Sequence, residues 1–318
     1  MRTPAAALLA LATLSACSDP PPPPTTVAPP PAPVAVAAPE PPPMQPTWLY
    51  RVTTDTQPSY VFAALDDGCP LHDSFPSDYT PLFQFARLVI VEQASTEEEA
   101  EEAMTTHGVD RSGSLARTLG AERFATLAET IHGAIEPALV PYLRPPYALA
   151  YLSLTVSADA YGGHMTDGRM SPLHDAVSRR RMNGGTLLGL YEDDEVERAR
   201  VALARPATEA LIACLDHLDV VRAQARERLA AYRAGDQDAL VRVHGERLPG
   251  GEAFETLGQT LSDRVFDAHW DRLQTELRAG NAFAVLPTSD VLGDHGVLAR
   301  LRNSGVEITR ISVAAPVP

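Results

Sequence analysis

Fourteen of the chain's 29 prolines fall between Pro20 and Pro46, and this one segment limits where a fold can form. Proline locks φ and has no N–H, so neither a helix nor a sheet ladder can run through DPPPPPTTVAPPPAPVAVAAPEPPPMQP, residues 19–46. Such a segment is an extended, semi-rigid spacer of polyproline II character. A proline motif that binds a partner is the other use of such a run. Everything able to bury a core is therefore expected in residues 47–318, long enough for one large domain or two small ones. A hydrophobic content of 45% supports a core there.

The residues before the spacer have a different logic. MRTPAAALLALATLSACSDP opens with a basic residue, Arg2, and continues with an apolar stretch from Ala5 to Leu14. That stretch is too short to span a bilayer and has the layout of a secretory signal peptide. It ends in Leu14-Ser15-Ala16-Cys17, which resembles the lipobox of bacterial lipoproteins. The resemblance implies cleavage before Cys17 and lipidation of its thiol. An ordinary signal peptide with a chance cysteine is the other reading. Several acyl chains on one residue give stable membrane attachment, whereas a single chain binds marginally. The expected organisation is a signal peptide at 1–16, a lipidated Cys17 with its tether at 17–46, and a domain at 47–318. The expected location is the cell envelope. Ser18 after the cysteine favours the outer membrane, with the domain periplasmic or extracellular.

The formal net charge of −15 argues against a nucleic-acid partner, which requires a basic face, and against electrostatic adhesion to anionic lipid. Beyond Cys17 only Cys69 and Cys214 remain, with no CxxC and no zinc-finger spacing. They could pair or stay free; sequence leaves both open. The expected partners are a membrane, through the lipid, and an unidentified protein or peptide.

Within the domain, Trp48–Val52 and Ser59–Leu65 read as two strands joined by a polar turn. Leu88–Glu92, Leu187–Leu190 and Phe283–Leu286 are short apolar runs expected as buried strands. Val306–Ile311 alternates and closes as a strand. Ser95-Thr96-Glu97-Glu98-Glu99 predicts a capped helix with a solvated acidic face. Helical patterns cover 114–160 (broken at Pro137, Pro141, Pro145 and Pro146), 171–181, 195–233 with a cap near Gly235, 254–278 and 297–303. Strands at both ends with a helical middle predict an α/β (α+β) fold, its mixed sheet assembled from distant parts of the chain.

The order of these pieces resembles the TraB/GumN family, whose relatives include the Tiki metalloproteases. The resemblance is carried by the Trp48-Leu49-Tyr50-Arg51 and Ser59-Tyr60-Val61-Phe62 hairpin, by Leu88-Val89-Ile90-Val91-Glu92, and by Tyr232-Arg233-Ala234-Gly235-Asp236. The stretch Phe283 to Gly305 completes it. It implies two GxxH motifs, each after a strand, with a glutamate and an arginine, holding a metal-bound water that attacks a peptide bond. This chain departs from that pattern. Ala63-Ala64-Leu65-Asp66 and Pro287-Thr288-Ser289-Asp290 stand at the two motifs, so both glycines and both histidines are missing. Glu92 and Arg264 match the family's catalytic pair. Leu190-Tyr191-Glu192 stands where the family has Leu-Glu-Thr.

Two states follow from these departures. Asp66 and Asp290, with Glu92, could hold a hard divalent cation such as manganese, magnesium or calcium, since carboxylates suit those ions. Otherwise the acids are neutral or paired with Arg264 and hydrolysis is lost, because close carboxylates do not all stay ionised without a cation. Pro287 in place of glycine favours the second state. Asp66-Asp67-Gly68 is also ordinary turn chemistry. His72 and His295 are candidates for replacement imidazoles, while His164 and His174 make no recognised ligand spacing. The preferred expectation is an envelope-associated binding module that has lost family hydrolysis; the alternative is a metal-dependent peptidase with a carboxylate site.

Overall fold

The computed structural model describes residues 44–65, 79–92, 102, 106–160, 172–191, 193–246, 253 and 267–314. Six strands make one mixed sheet, in the order β4-β3-β5-β2-β1-β6. β1 (Met44–Val52) and β2 (Ser59–Ala64) form the expected hairpin, with Leu49 opposite Phe62 and Val52 opposite Ser59. β5 (Ala282–Pro287) lies parallel between β2 and β3 (Leu88–Val91), and β4 (Leu187–Gly189) extends β3 in parallel. β6 (Ile308–Ala314) closes the other edge, antiparallel to β1. The central strands β3 and β5 are buried from Leu88 to Val91 and from Ala282 to Leu286. That is why they read as unbroken apolar runs rather than as alternation.

β1 starts at Met44, inside the segment assigned to the tether. Met44, Gln45 and Pro46 pair with β6 alone, and the register shifts between Pro46 and Tyr50. A proline is tolerated there because that stretch has no second strand asking for its missing N–H.

Helices cover the sheet and build a second core beside it. α1 (Thr80–Phe85) precedes β3. α2 (Leu115–Leu119), α3 (Ala121–Thr130), α4 (Pro145–Ala160), α7 (Ala204–Asp216) and α8 (Leu218–Ala234) enclose Leu127, Ile131, Leu152 and Leu211. Pro145 and Pro146 open α4 rather than break it, since the first helical turn needs no N–H bond and proline's φ suits it. α5 (Pro172–Met182) leads into β4, and α6 (Asp193–Ala202) follows it. The expected long helix over 195–233 is divided at Leu203 and His217. Pro206 explains the first division, because it has no N–H for the carbonyl four residues back. α9 (Gln237–Gly245), α10 (Asp267–Ala279), a single turn α11 (Thr288–Val291) and α12 (Val297–Asn303) complete the order. The helix expected at Ser95–Glu99 lies outside the described residues. No helix among the described residues is long and apolar enough to cross a membrane.

Two side-chain joints hold this frame. Tyr232, near the end of α8, stacks on Trp48 at 4.8 Å, takes the indole N–H on its carbonyl at 2.8 Å, and donates its hydroxyl to the Ala63 carbonyl at 3.0 Å. Gly235 then turns the chain with φ 67°, a left-handed conformation glycine adopts without strain, and Asp236 caps α9 by accepting from the Ala239 N–H at 2.9 Å. Arg310 of β6 sits 4.5 Å from the Trp48 ring and donates to the carbonyls of Thr47 and Gly235. At the other joint, buried Arg180 donates to the carbonyls of Phe83, Gln84 and Ala86, satisfying the end of α1.

Candidate functional site

The four parallel strands, β2, β5, β3 and β4, all end on one edge of the sheet. Open α/β sheets bind ligands outside the carboxyl ends of their strands. β2 ends at Ala64, followed by buried Leu65. β3 runs into Glu92. The β3–β4 ladder continues past β4, with Leu190 N–H donating to the Val91 carbonyl at 2.9 Å and Tyr191 N–H to the Glu92 carbonyl at 3.0 Å. β5 ends in Pro287, which is extended (φ −57°, ψ 147°), and the chain turns at once into α11. That turn buries Thr288 fully and carries Asp290 to the strand end.

Tyr191 lies within electrostatic reach of both Glu92 and Asp290. Its phenol is held protonated well above the usual range, first by burial and then by the negative charges of Asp290, Glu92 and Glu195. Burial pushes the Asp290 carboxyl up to about 6, partly offset by a hydrogen bond from the Ser289 hydroxyl. The Tyr191 ring lies 5.8 Å from that of His269, whose Nε2 contacts a Glu195 carboxylate oxygen at 2.8 Å. From α9, His244 Nε2 reaches the Thr288 hydroxyl at 3.0 Å; burial, helped by Arg228, lowers its pKa to about 4, so the imidazole is neutral.

Between α9 and residues 288–296 lies a cleft of about 260 Å³, lined by Val241, His244, Asp290, Leu292, Asp294 and His295 among others. Gly296 closes the loop so tightly that a Cβ there would lie 2.2 Å from the Leu292 carbonyl oxygen and 2.6 Å from that of Val291. Only glycine fits, which accounts for Gly296 in the sequence.

Of the residues singled out from sequence, Glu92 and Asp290 both act electrostatically on Tyr191. Asp66, Arg264, Cys17, Glu192, His72 and His164 lie outside the described residues. His295 is exposed at the rim of the cleft, and its carbonyl accepts from Arg300 at 2.7 Å. Cys214 is a free, buried thiol whose pKa burial pushes up to about 12; Cys69 lies outside the described residues. His244, Thr288 and the Glu195–His269 pair escaped the sequence reading, while Tyr191 was marked only as standing at the family's acid position. His244 follows Leu240 by four residues, which puts it on the buried face of α9, and that spacing was the available signal.

Asp66, one of the two expected ligands, lies outside the described residues, and the described donors alone do not make a metal site. No three His, Cys, Asp or Glu side chains among the described residues could hold one ion. His244, which lines the cleft, is engaged with Thr288, and the phenol on which the two acids act is protonated. No step through a metal is therefore derived.

No curated protein and no solved structure matches the chain. The family model of the TraB/PrgY/gumN family matches residues 48–310, from the first core tryptophan to the arginine that stacks on it. The chain belongs to the TraB/PrgY/gumN family.

Proposed function

We propose that this protein is an envelope lipoprotein, anchored through Cys17, whose domain has lost metal-dependent hydrolysis and acts as a binding module. The observation that carries this reading is the end of β5. Where the family resemblance implies glycine and a ligating histidine, Pro287 leads into a tight helical turn. In that turn the Thr288 hydroxyl is taken by His244, and the partly buried carboxyl of Asp290 acts electrostatically on the Tyr191 phenol. Within the same turn Ser289 hydrogen-bonds Asp290. The cleft beside it, between α9 and residues 288–296, is the binding surface this reading assigns.

Thermal unfolding of the metal-stripped chain against calcium, magnesium, manganese, cobalt and zinc tests the reading. A ligand that binds only the folded state raises stability with its occupancy. The expected result is no metal-specific rise and no hydrolysis of a mixed peptide substrate. A rise with one ion that disappears in both Asp66→Ala and Asp290→Ala would replace this reading with that of a carboxylate-site hydrolase.

A further inference from the structure

β6 (Ile308–Ala314) is an outer strand of the sheet, paired with β1 on one side. No strand among the described residues pairs with its other side. The ladder fixes which main-chain groups lie on that side. The Thr53 N–H donates to the Glu307 carbonyl, and Arg51 stands opposite Thr309. In an antiparallel pair, residues that exchange bonds alternate with residues that do not. Glu307 and Thr309 therefore bond β1, and the N–H and C=O groups of Ile308 and Arg310 point outward. A row of such groups is a template for a further strand.

The side chains leave that template accessible. Thr309 and Ser312 are exposed, while Ile308, Arg310 and Ile311 are half-buried. Edge strands are ordinarily blunted by lysine or proline, and β6 contains neither. Its one charge, Arg310, is folded over Trp48 at 4.5 Å and engaged with the carbonyls of Thr47 and Gly235. Four of its seven residues are β-branched, which keeps the edge extended.

Charge selects the occupant. The chain carries a net −15, yet residues 297–318 hold Arg300, Arg302 and Arg310 against one acid, Glu307. Arg300 is paired with Asp267. Arg302, exposed on α12, acts on Tyr50, the residue opposite Arg310. Arg51 is exposed on β1. Neither Arg51 nor Arg302 has a carboxylate partner among the described residues. A second copy would present the same arginines to them, whereas a strand bearing carboxylates complements both.

We propose that the outer edge of β6 docks an acidic, extended segment of a partner protein. The segment adds a strand to the sheet, its main chain bonded to Ile308 and Arg310 and its carboxylates beside Arg51 and Arg302. This surface goes beyond the cleft at residues 288–296 and does not depend on it, since β2 and β1 lie between β5 and β6.

The test uses the full chain with Cys17→Ser, so that no lipid complicates it. Fluorescence anisotropy follows three labelled peptides: Glu-Val-Glu-Thr-Glu-Val-Glu, the same peptide with every N–H methylated, and its analogue with lysine for glutamate. The expected result is saturable binding of the unmethylated acidic peptide alone. Ile308→Pro removes an outward N–H without touching the β1 ladder and should weaken binding about tenfold or more. Arg51→Glu and Arg302→Glu, at exposed positions, should each weaken it about threefold or more at low salt while leaving the melting temperature unchanged. Equal binding of the methylated or the lysine peptide would overturn the assignment with no variant needed. Full binding by Ile308→Pro, or no binding of any peptide, would also overturn it. Binding lost in Asp290→Asn would overturn it by moving the peptide to the cleft. A parent chain that sediments as a dimer and takes no peptide would replace the partner strand with a second copy.

Discussion

Asp290 binds its proton more tightly in the folded chain than a free aspartate does, because burial raises its pKa from 3.8 to about 6. The folded state therefore holds more protons than the unfolded one between those values, and stability falls as pH rises through that window. Asparagine cannot ionise, so Asp290→Asn should be more stable than the parent at pH 7.5, by roughly 1–3 kcal/mol. Near pH 3.5 the two chains should be equal. Urea unfolding at both pH values checks this; a variant less stable at pH 7.5 would show a carboxylate that is paired rather than stranded. The family resemblance marked Glu92 and Asp290, Glu92 also by its place at the end of an apolar run, and the fold puts both within electrostatic reach of one phenol. Tyr191 was marked only by the family comparison and His244 not at all, because a tyrosine after a strand and a histidine on a helix take their meaning from neighbours distant in sequence.

Among the elements, the Tyr232–Asp236 joint shows how a short phrase becomes architecture. It ends α8, turns at Gly235 and starts α9, and so sets His244 against Thr288. Asp236→Ala removes the cap of α9 and should cost about 1 kcal/mol. Tyr232→Phe keeps the stack on Trp48 but leaves the buried Ala63 carbonyl without its donor, and should cost about 1–3 kcal/mol. Denaturant midpoints of the two variants measure both. A loss in Tyr232→Phe no greater than in an exposed tyrosine variant such as Tyr142→Phe would contradict the buried hydrogen bond. The strands were legible because their apolar runs are short and bounded. α1, α9 and α11 were not, because they are brief and are held by tertiary partners: Arg180 at the end of α1, and His244 on α11. Pro206 is the local signal for the divided helix.

For the whole molecule, proline chemistry and the cysteine after the apolar leader divide the chain before any folding is considered. If Cys17 carries the anchor, Cys17→Ser should move the protein from the membrane fraction to the soluble fraction of its host and leave the domain's melting temperature unchanged. Fractionation with immunodetection reads the first, and thermal unfolding the second; a variant that still pellets with membranes would locate the attachment elsewhere. Sequence by itself determined the buried strands, the mixed-sheet class and the family, because each rests on backbone chemistry or on short-range pattern. Only the tertiary structure decided that Tyr191 and Asp290 share one edge, that α9 closes a cleft over residues 288–296, and that Arg180 and Arg310 bind carbonyls. Those outcomes depend on which distant segments desolvate one another, and burial by remote chain is a property no local window contains.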